Sequence, residues 1–193
     1  MHMKKEERKS SDQDIISRRK FLKAGLGVLA ATLIPFDDLE AAGNLFSARS
    51  LFIYNDHTGD YINDYYYKNG SYLRSAIARI NYIFRDHYTG IVCPINATLL
   101  DILYVLQRRL GKQYPFHLIS GYRSPQTNAY LRRNKKGAAE HSLHMYGMAA
   151  DITLPGHDLD ILYRAAVGLK AGGVGYYPRS NFVHIDSGRV RYW

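Results

Sequence analysis

The sequence has 193 residues, a formal net charge of +9 and a single cysteine. This length suits one domain with a sizeable core and is short for two. One cysteine excludes an internal disulfide and a cysteine-rich zinc site, so any metal would have to be held by histidine and carboxylate side chains.

An export signal is predicted at the start of the sequence. SRRKFLK (17–23) precedes the apolar run AGLGVLAATLIP (24–35), which is shorter than the roughly 20 residues that span a bilayer. The arginine pair and its neighbours resemble a twin-arginine signal. We therefore expect a signal segment over residues 1–42, cleavage near Ala42 and a periplasmic location. The alternatives are a chance arginine pair before a buried helix, and retention of the segment as a membrane anchor.

The positive charge belongs almost entirely to the remainder of the chain. Residues 1–42 contain eight basic and seven acidic residues, which leaves a net charge of +8 on the rest. Such a charge attracts anionic partners. Because an exported protein meets the anionic cell envelope first, and no basic run is present, we expect no nucleic-acid partner. A charge that only maintains solubility is the alternative.

Residues 48–193 show alternating strand and helix patterns without an internal repeat. In chain order, the patterns predict strands at 51–56 and 60–67, helices at 71–86 and 96–111, a strand at 116–122, a helix at 124–133, a strand at 147–154, a helix at 158–173, and strands at 173–178 and 181–188. This order indicates a single α+β domain with a central antiparallel sheet flanked by helices.

His144 and Asp151 lie seven residues apart in SLHMYGMAADITL (142–154). One helix would separate them by about 10.5 Å along its axis, and one straight strand by about 23 Å. Zinc holds its ligand atoms at about 2.0–2.2 Å. The two residues can therefore share a metal only if the chain turns between them, and Gly147 is where a turn costs least. Otherwise they are unrelated polar residues.

A second histidine lies in FVHID (182–186), where Phe182, His184 and Asp186 share one face of the predicted strand. A histidine between apolar neighbours in a strand is more often a core residue than a metal ligand. As a third ligand, His184 would leave a fourth position open for water, as in catalytic zinc sites.

Arg123 follows a predicted buried strand in SGYRS (120–124). There it could bind a substrate carboxylate or a developing oxyanion. An ordinary structural arginine is the alternative.

Three stretches together resemble the M15 metallopeptidases, most closely their exported murein endopeptidase K branch. These are ISGYRSPQTN (119–128), SLHMYGMAADI (142–152) and GGVGYYPRSNFVHIDSG (172–188). The likeness covers nearly all of residues 48–193, including RYW (191–193). It implies the family fold, a central antiparallel sheet with flanking helices.

The resemblance also implies one Zn²⁺ per chain, held by the histidine and aspartate of an H-x6-D motif and by a later histidine. In this sequence these are His144, Asp151 and His184. Many family members have a glutamate or aspartate three residues before the last histidine as a general base. Asn181 stands there and cannot accept a proton. Phe182 stands where related murein enzymes have another histidine.

Three residues remain as candidates for the base: Asp186, His141 and Glu140. Orientation of a ligand histidine is the alternative role for Asp186. Tyr176 and Tyr177 are expected to line the groove together with His141.

The function that the resemblance implies is a zinc-dependent murein endopeptidase that acts on peptide crosslinks of peptidoglycan in the cell envelope. We expect the protein to be a monomer. Its predicted catalytic residues are Arg123, Asp186 and His141. Two alternatives remain. One is a catalytically silent, zinc-containing wall-binding module, which Asn181 suggests. The other is a murein carboxypeptidase, because the sequence does not define how open the groove is.

Overall fold

A computed structural model describes residues 48–111, 114–134 and 138–193. The predicted signal segment, residues 1–42, lies outside these ranges and stays a prediction. All of the described residues belong to one compact unit, Asn44–Trp193. None of the helices within the described ranges is long and apolar enough to cross a membrane.

Eight strands form one sheet in the order β3-β2-β1-β4-β5-β7-β6-β8. In chain order they are β1 Ala48–Asn55, β2 Tyr61–Lys68, β3 Ser71–Tyr72, β4 Phe116–Ser120, β5 Ala149–Thr153, β6 Gly173–Tyr177, β7 Phe182–Asp186 and β8 Arg191–Tyr192. Most neighbouring strands are antiparallel, but β1 pairs with β4 and β6 pairs with β8 in parallel. The α+β class with a central sheet and flanking helices is confirmed, and the sheet is mixed.

Four α-helices accompany the sheet in the described ranges: α1 Arg74–Ile83, α2 Ala97–Leu110, α3 Pro125–Arg133 and α4 Leu159–Val167. Two of them begin at side-chain caps that the sequence contains. Asn96 accepts hydrogen bonds from the first turn of α2, and Ser124 accepts one from Thr127 in α3. The helix predicted at 71–86 starts later, because residues 71–72 pair with β2 as β3.

The core lies on one face of the sheet, where α1, α2 and α4 pack against the strands. Its largest fully buried side chains come from both the strands and the helices: Tyr66, Phe84, Phe116, Leu51, Ile53, Ile62, Ile80, Leu99, Leu100, Leu103, Leu106 and Leu118. Because side chains alternate along a strand, the residues between the buried ones point to the opposite face. Asp151 and His184 belong to that opposite face.

The register of the central strands brings polar side chains to one place on the opposite face. In the β5/β7 pair Asp151 is directly opposite His184. On its other side Asp151 pairs with Ser120, after an irregularity between Leu118 and Ser120 shifts the register of β4. The sheet therefore places one carboxylate and one imidazole side by side on a rigid support.

Candidate metal centre

Asp151 and His184 meet because of strand pairing alone. Residues opposite each other in an antiparallel pair have Cβ atoms about 4.5–5.5 Å apart. Here the His184 Nδ1 atom lies 2.8 Å from the Asp151 Oδ1 atom. Both side chains are buried, with 12% and 8% of their surface exposed. A buried carboxylate and a buried imidazole therefore lie side by side on the same face of the sheet.

His144 reaches the same point through the turn that the sequence predicts at Gly147. His144 lies in a 3-10 helix, Leu143–Tyr146, which ends at Gly147 in the left-handed conformation with φ 62°. A Cβ atom at Gly147 would also collide with the main-chain oxygen of Pro94. Both observations require glycine at this position, and the turn directs His144 back towards β5.

The three side chains present their donor atoms to a common centre. The His144 Nε2 atom is 3.2 Å from the Asp151 Oδ1 atom and 3.2 Å from the His184 Nδ1 atom. A tetrahedral ion bound at about 2.0–2.1 Å would hold its ligand atoms about 3.3 Å apart. The chemistry and spacing of this donor set fit a zinc-like cation. Within the described ranges it is the one group of three or more such residues close enough to hold a metal ion.

Hydrogen bonds on the far side of each imidazole fix which nitrogen faces the centre. The His144 Nδ1 atom lies 2.7 Å from the carbonyl oxygen of Gly121, so it donates there and leaves Nε2 free. The His184 Nε2 atom lies 3.1 Å from the Asp186 Oδ2 atom, so Nδ1 is the nitrogen that faces Asp151 and the centre. Metal-binding histidines in proteins usually donate their second N–H to a carbonyl or a carboxylate in this way.

The charges around His184 favour a positive group at the centre. Burial by itself lowers the pKa of the His184 imidazole, but hydrogen bonds to Asp151 and Asp186 outweigh burial and raise this pKa to about 9. Burial raises the pKa of the Asp151 carboxyl, yet the two histidines keep it well below its usual range. The centre therefore attracts a proton or a metal cation.

Asp186 lies behind His184 and is fully buried. Its carboxylate accepts hydrogen bonds from Arg191 Nη2 at 2.7 Å and from the main-chain N–H of Gly188 at 2.8 Å and of Gly173 at 3.2 Å. Burial raises the pKa of Asp186, but its hydrogen bonds with His184 and Arg191 lower it well below the usual range. Because both oxygens are already engaged, this geometry favours the orienting role of Asp186 over the role of a base.

Arg123 borders the centre on the side of Asp151. Its Nη2 atom is 3.5 Å from the Asp151 Oδ2 atom and donates to the Ser120 Oγ atom at 3.2 Å. Its main-chain N–H donates to the carbonyl oxygen of His144 at 3.2 Å. Only 12% of the Arg123 side chain is exposed. These contacts fix the Arg123 loop to strand β5, which carries Asp151, and to the 3-10 helix, which carries His144.

A cleft of about 360 Å³ opens over the three donors and Arg123. Its lining includes His141 and the aromatic side chains of Tyr177, Phe182 and Trp193. Of the candidate bases, His141 alone borders this cleft.

The candidate base Glu140 and the expected groove residue Tyr176 lie outside the cleft. Glu140 forms a surface ion pair with Arg132 at 3.4 Å. Tyr176 packs against Tyr163 with ring centroids 4.9 Å apart; the expectation that it lines the groove was wrong, because neighbouring residues of a strand face opposite sides. No periodic pattern of the sequence predicts that Trp193 lines the cleft.

Comparisons with known proteins agree with the resemblance seen in the motifs. The family model for Peptidase M15_2, described as peptidoglycan L,D-endopeptidase MepK, matches residues 44–193. The peptidoglycan L,D-endopeptidase MepK of Escherichia coli strain K12 is 41% identical over 177 residues, which cover 92% of this chain and 97% of that protein. The probable peptidoglycan L,D-endopeptidase MepK of Haemophilus influenzae is 33% identical over 178 residues, covering 92% and 95% of the two chains.

Proposed function

The chain belongs to the MepK family of peptidoglycan L,D-endopeptidases within the M15 metallopeptidases, and on that basis we propose that it hydrolyses peptide crosslinks of peptidoglycan. The proposed scissile bond joins an L-configured to a D-configured residue, as the name of the relatives states. The observation that carries the proposal is the convergence of His144, Asp151 and His184 at the base of a cleft.

These three residues would hold one Zn²⁺ in this proposal, through His144 Nε2, Asp151 Oδ1 and His184 Nδ1. A bound Zn²⁺ supplies Lewis-acid polarisation of a carbonyl and lowers the pKa of water. Two further contacts of the chain support the assignment. The Gly121 carbonyl and the Asp186 carboxylate hold the two imidazoles in the required orientation.

Arg123 is proposed to bind the substrate at the cleft. Its guanidinium is beside Asp151 and close to the donor cluster, so it can donate hydrogen bonds to a substrate carboxylate or to the oxygen of a polarised carbonyl. Burial lowers the pKa of Arg123, while Asp151 and Asp86 act in the opposite direction. Because an arginine stays protonated in proteins, Arg123 still carries a positive charge next to the reacting group.

His141 is proposed to move protons. Hydrolysis of a peptide bond needs a group that takes a proton from the attacking water and another proton transfer to the leaving amine. Apart from Asp151, the described residues that line the cleft include no carboxylate. His141 is exposed there, and an imidazole can perform both transfers near neutral pH.

The structure offers a reason for Asn181 other than a catalytically silent wall-binding module. It has φ 54° at the end of the 3-10 helix Pro178–Ser180, a left-handed conformation that asparagine adopts more readily than most residues. It is exposed and is absent from the lining of the cleft. A local backbone requirement therefore accounts for asparagine at this position.

An enzyme that acts on peptidoglycan works outside the cytoplasm. We propose that this protein is located in the periplasm, that it reaches the periplasm by the twin-arginine route, and that it is a monomer.

The function is tested by incubating the purified protein with murein that contains both L,D and D,D crosslinks. The expected result is that L,D-crosslinked muropeptides are cleaved to uncrosslinked monomers. A chelator should abolish this cleavage. Release of single stem-peptide residues would indicate a carboxypeptidase. Binding of murein without any release would indicate a wall-binding module.

A further inference from the structure

We propose that Trp193 forms a subsite that binds the aliphatic side chain of the substrate residue next to the scissile bond. This inference rests on the proposed function and adds a specificity-determining residue to it. The Trp193 ring lies 5.3 Å from the ring of His184, centroid to centroid. It lines the cleft and keeps 46% of its surface exposed. A large apolar surface is thus exposed directly beside the proposed reaction centre.

The indole is held in one orientation by a dedicated set of contacts. Its Nε1–H donates to the Tyr177 hydroxyl at 2.8 Å, and the Tyr177 ring stacks on Phe182 with centroids 4.6 Å apart. The Trp193 main-chain N–H donates to the carbonyl oxygen of Val174, and the Trp193 carbonyl accepts from the N–H of Tyr176. The partially exposed ring is therefore anchored and needs little ordering when a ligand binds.

Two further residues leave room for the indole and position it. A Cβ atom at Gly175 would lie 2.6 Å from the Trp193 Cε2 atom, so only glycine fits beneath the ring. The guanidinium carbon of Arg191 lies 4.9 Å from the Trp193 ring, at a distance typical of a cation–π contact. Arg191 is itself held by Asp186. The same buried carboxylate thus supports both His184 and, through Arg191, the indole.

The position of the ring determines which part of peptidoglycan it can contact. An exposed aromatic ring binds C–H groups by burial of apolar surface and by dispersion, and both peptide side chains and sugar rings offer such groups. Consecutive Cα atoms are 3.8 Å apart. A substrate side chain that contacts Trp193 therefore belongs to a residue about one or two positions from the peptide bond held beside His184. The peptide at the crosslink is at that distance, and the glycan strand is farther along the stem. We therefore assign the subsite to a peptide side chain.

The sequence makes a direct measurement possible, because Trp193 is its only tryptophan. The probe is a glycan-free, L,D-crosslinked stem-peptide dimer whose scissile amide is reduced to CH₂–NH, so that it binds without being cut. The expected result is a saturable blue shift or quenching of the intrinsic fluorescence of the wild-type protein, with a midpoint equal to the Kd from calorimetry. Saturating, calorimetrically verified binding without a change in fluorescence would overturn the proposal.

Kinetics of variants provide the second readout. Trp193→Ala should raise KM about tenfold and change kcat less than twofold, and Trp193→Phe should restore most of the loss, since an aromatic face remains. Tyr61→Ala is the matched control, an exposed aromatic residue of β2 (65% exposed) that does not line the cleft. It should change neither KM nor kcat. A merely structural Trp193 would instead lower metal content or kcat at unchanged KM, which would contradict the subsite.

A second pair of substrates separates the peptide from the sugar. The KM defect of Trp193→Ala should be the same for the glycan-free crosslinked dimer and for the same dimer carrying its disaccharides. A defect seen only with the disaccharides would overturn the assignment to a peptide side chain. If the wild type cleaves no murein substrate at all, the proposed function fails, whereas the fluorescence titration still decides whether the subsite exists.

Discussion

Asp151 and His184 are directly opposite each other on the antiparallel strands β5 and β7, and their Oδ1 and Nδ1 atoms are 2.8 Å apart. The backbone register thus fixes two of the three donor side chains before any ligand binds. The third, His144, depends on the 3-10 helix that ends at Gly147. A site built on paired strands keeps its geometry better than one built on loops.

The hydrogen bond between Asp186 and His184 should control metal affinity. Asp186→Asn removes the charge that orients His184, and loss of such an outer contact typically weakens metal binding about 10–100-fold. We expect that loss in a competition titration with a chelator, with activity recovered at excess zinc. Asp160→Asn, in an exposed pair with Arg164 on α4, is the control. Unchanged zinc affinity with a rate about 10²–10⁴-fold lower would instead make Asp186 the base.

Replacement of Arg123 by lysine should reduce activity without loss of zinc. A lysine keeps the positive charge but lacks the planar fork that forms paired hydrogen bonds with a carboxylate. We expect kcat/KM to fall at least about tenfold while metal content and the unfolding midpoint are retained. Arg132→Lys, in the exposed pair with Glu140, should be neutral. Normal turnover of Arg123→Lys would return Arg123 to a purely structural role.

Replacement of His141 by glutamine should lower kcat by about 10²–10⁴-fold, the usual contribution of a general acid or base. Zinc should remain bound, because His141 is not among the three converging donors. Glu140→Gln, one residue away and outside the cleft, is the matched control. Full activity of His141→Gln would remove His141 from the mechanism.

Acid should destabilise the fold through Asp86, which is 1% exposed and accepts the main-chain N–H groups of Ser124 and Tyr88, both at 2.9 Å. Burial raises the pKa of Asp86, but hydrogen bonds from Ser124 and Thr127 outweigh it and lower this pKa to about 2. Because the folded-state pKa is below the unfolded value, the contribution of Asp86 is complete above the unfolded value of about 3.9 and is lost as the pH falls through about 2.

The measurement that checks this role of Asp86 is the free energy of unfolding of wild type and Asp86→Asn at several pH values between 6 and 2. The variant should be less stable at pH 6, by about 1–3 kcal/mol for a buried hydrogen-bonded group, and the difference should shrink towards pH 2. Asp64→Asn, in an exposed ion pair with Arg79, should show neither effect. A difference that does not depend on pH would contradict the ionised state of Asp86.

The parts of the site that follow from local rules could be predicted from the sequence. Alternation along a strand places His184 and Asp186 on one face, and the distance between His144 and Asp151 requires a turn at the intervening glycine. The structure has both features. The zinc ligation itself stays a prediction, because it rests on the family resemblance and on the geometry of the donors.

Features that depend on long-range pairing could not be predicted. The parallel pairs of β1 with β4 and of β6 with β8 have the same side-chain alternation as antiparallel pairs, so the sequence pattern does not distinguish them. Strand β8 has only two residues, too few for any periodicity. The positions of Arg191 and Trp193 beside the centre both depend on that short strand.

Metal content and activity of the same preparations test the central claim most directly. Wild type should contain about one zinc per chain, release muropeptides from L,D-crosslinked murein, lose this activity with a chelator and regain it when zinc is restored. Zinc and activity should both be lost in the single variant His144→Ala and in the double variant His144→Ala, Asp151→Ala. The control is His117→Ala, because the His117 imidazole pairs with Asp56 outside the cluster. This control should keep both zinc and activity. Full zinc retention in the double variant, or chelator-resistant release by the wild type, would contradict the account.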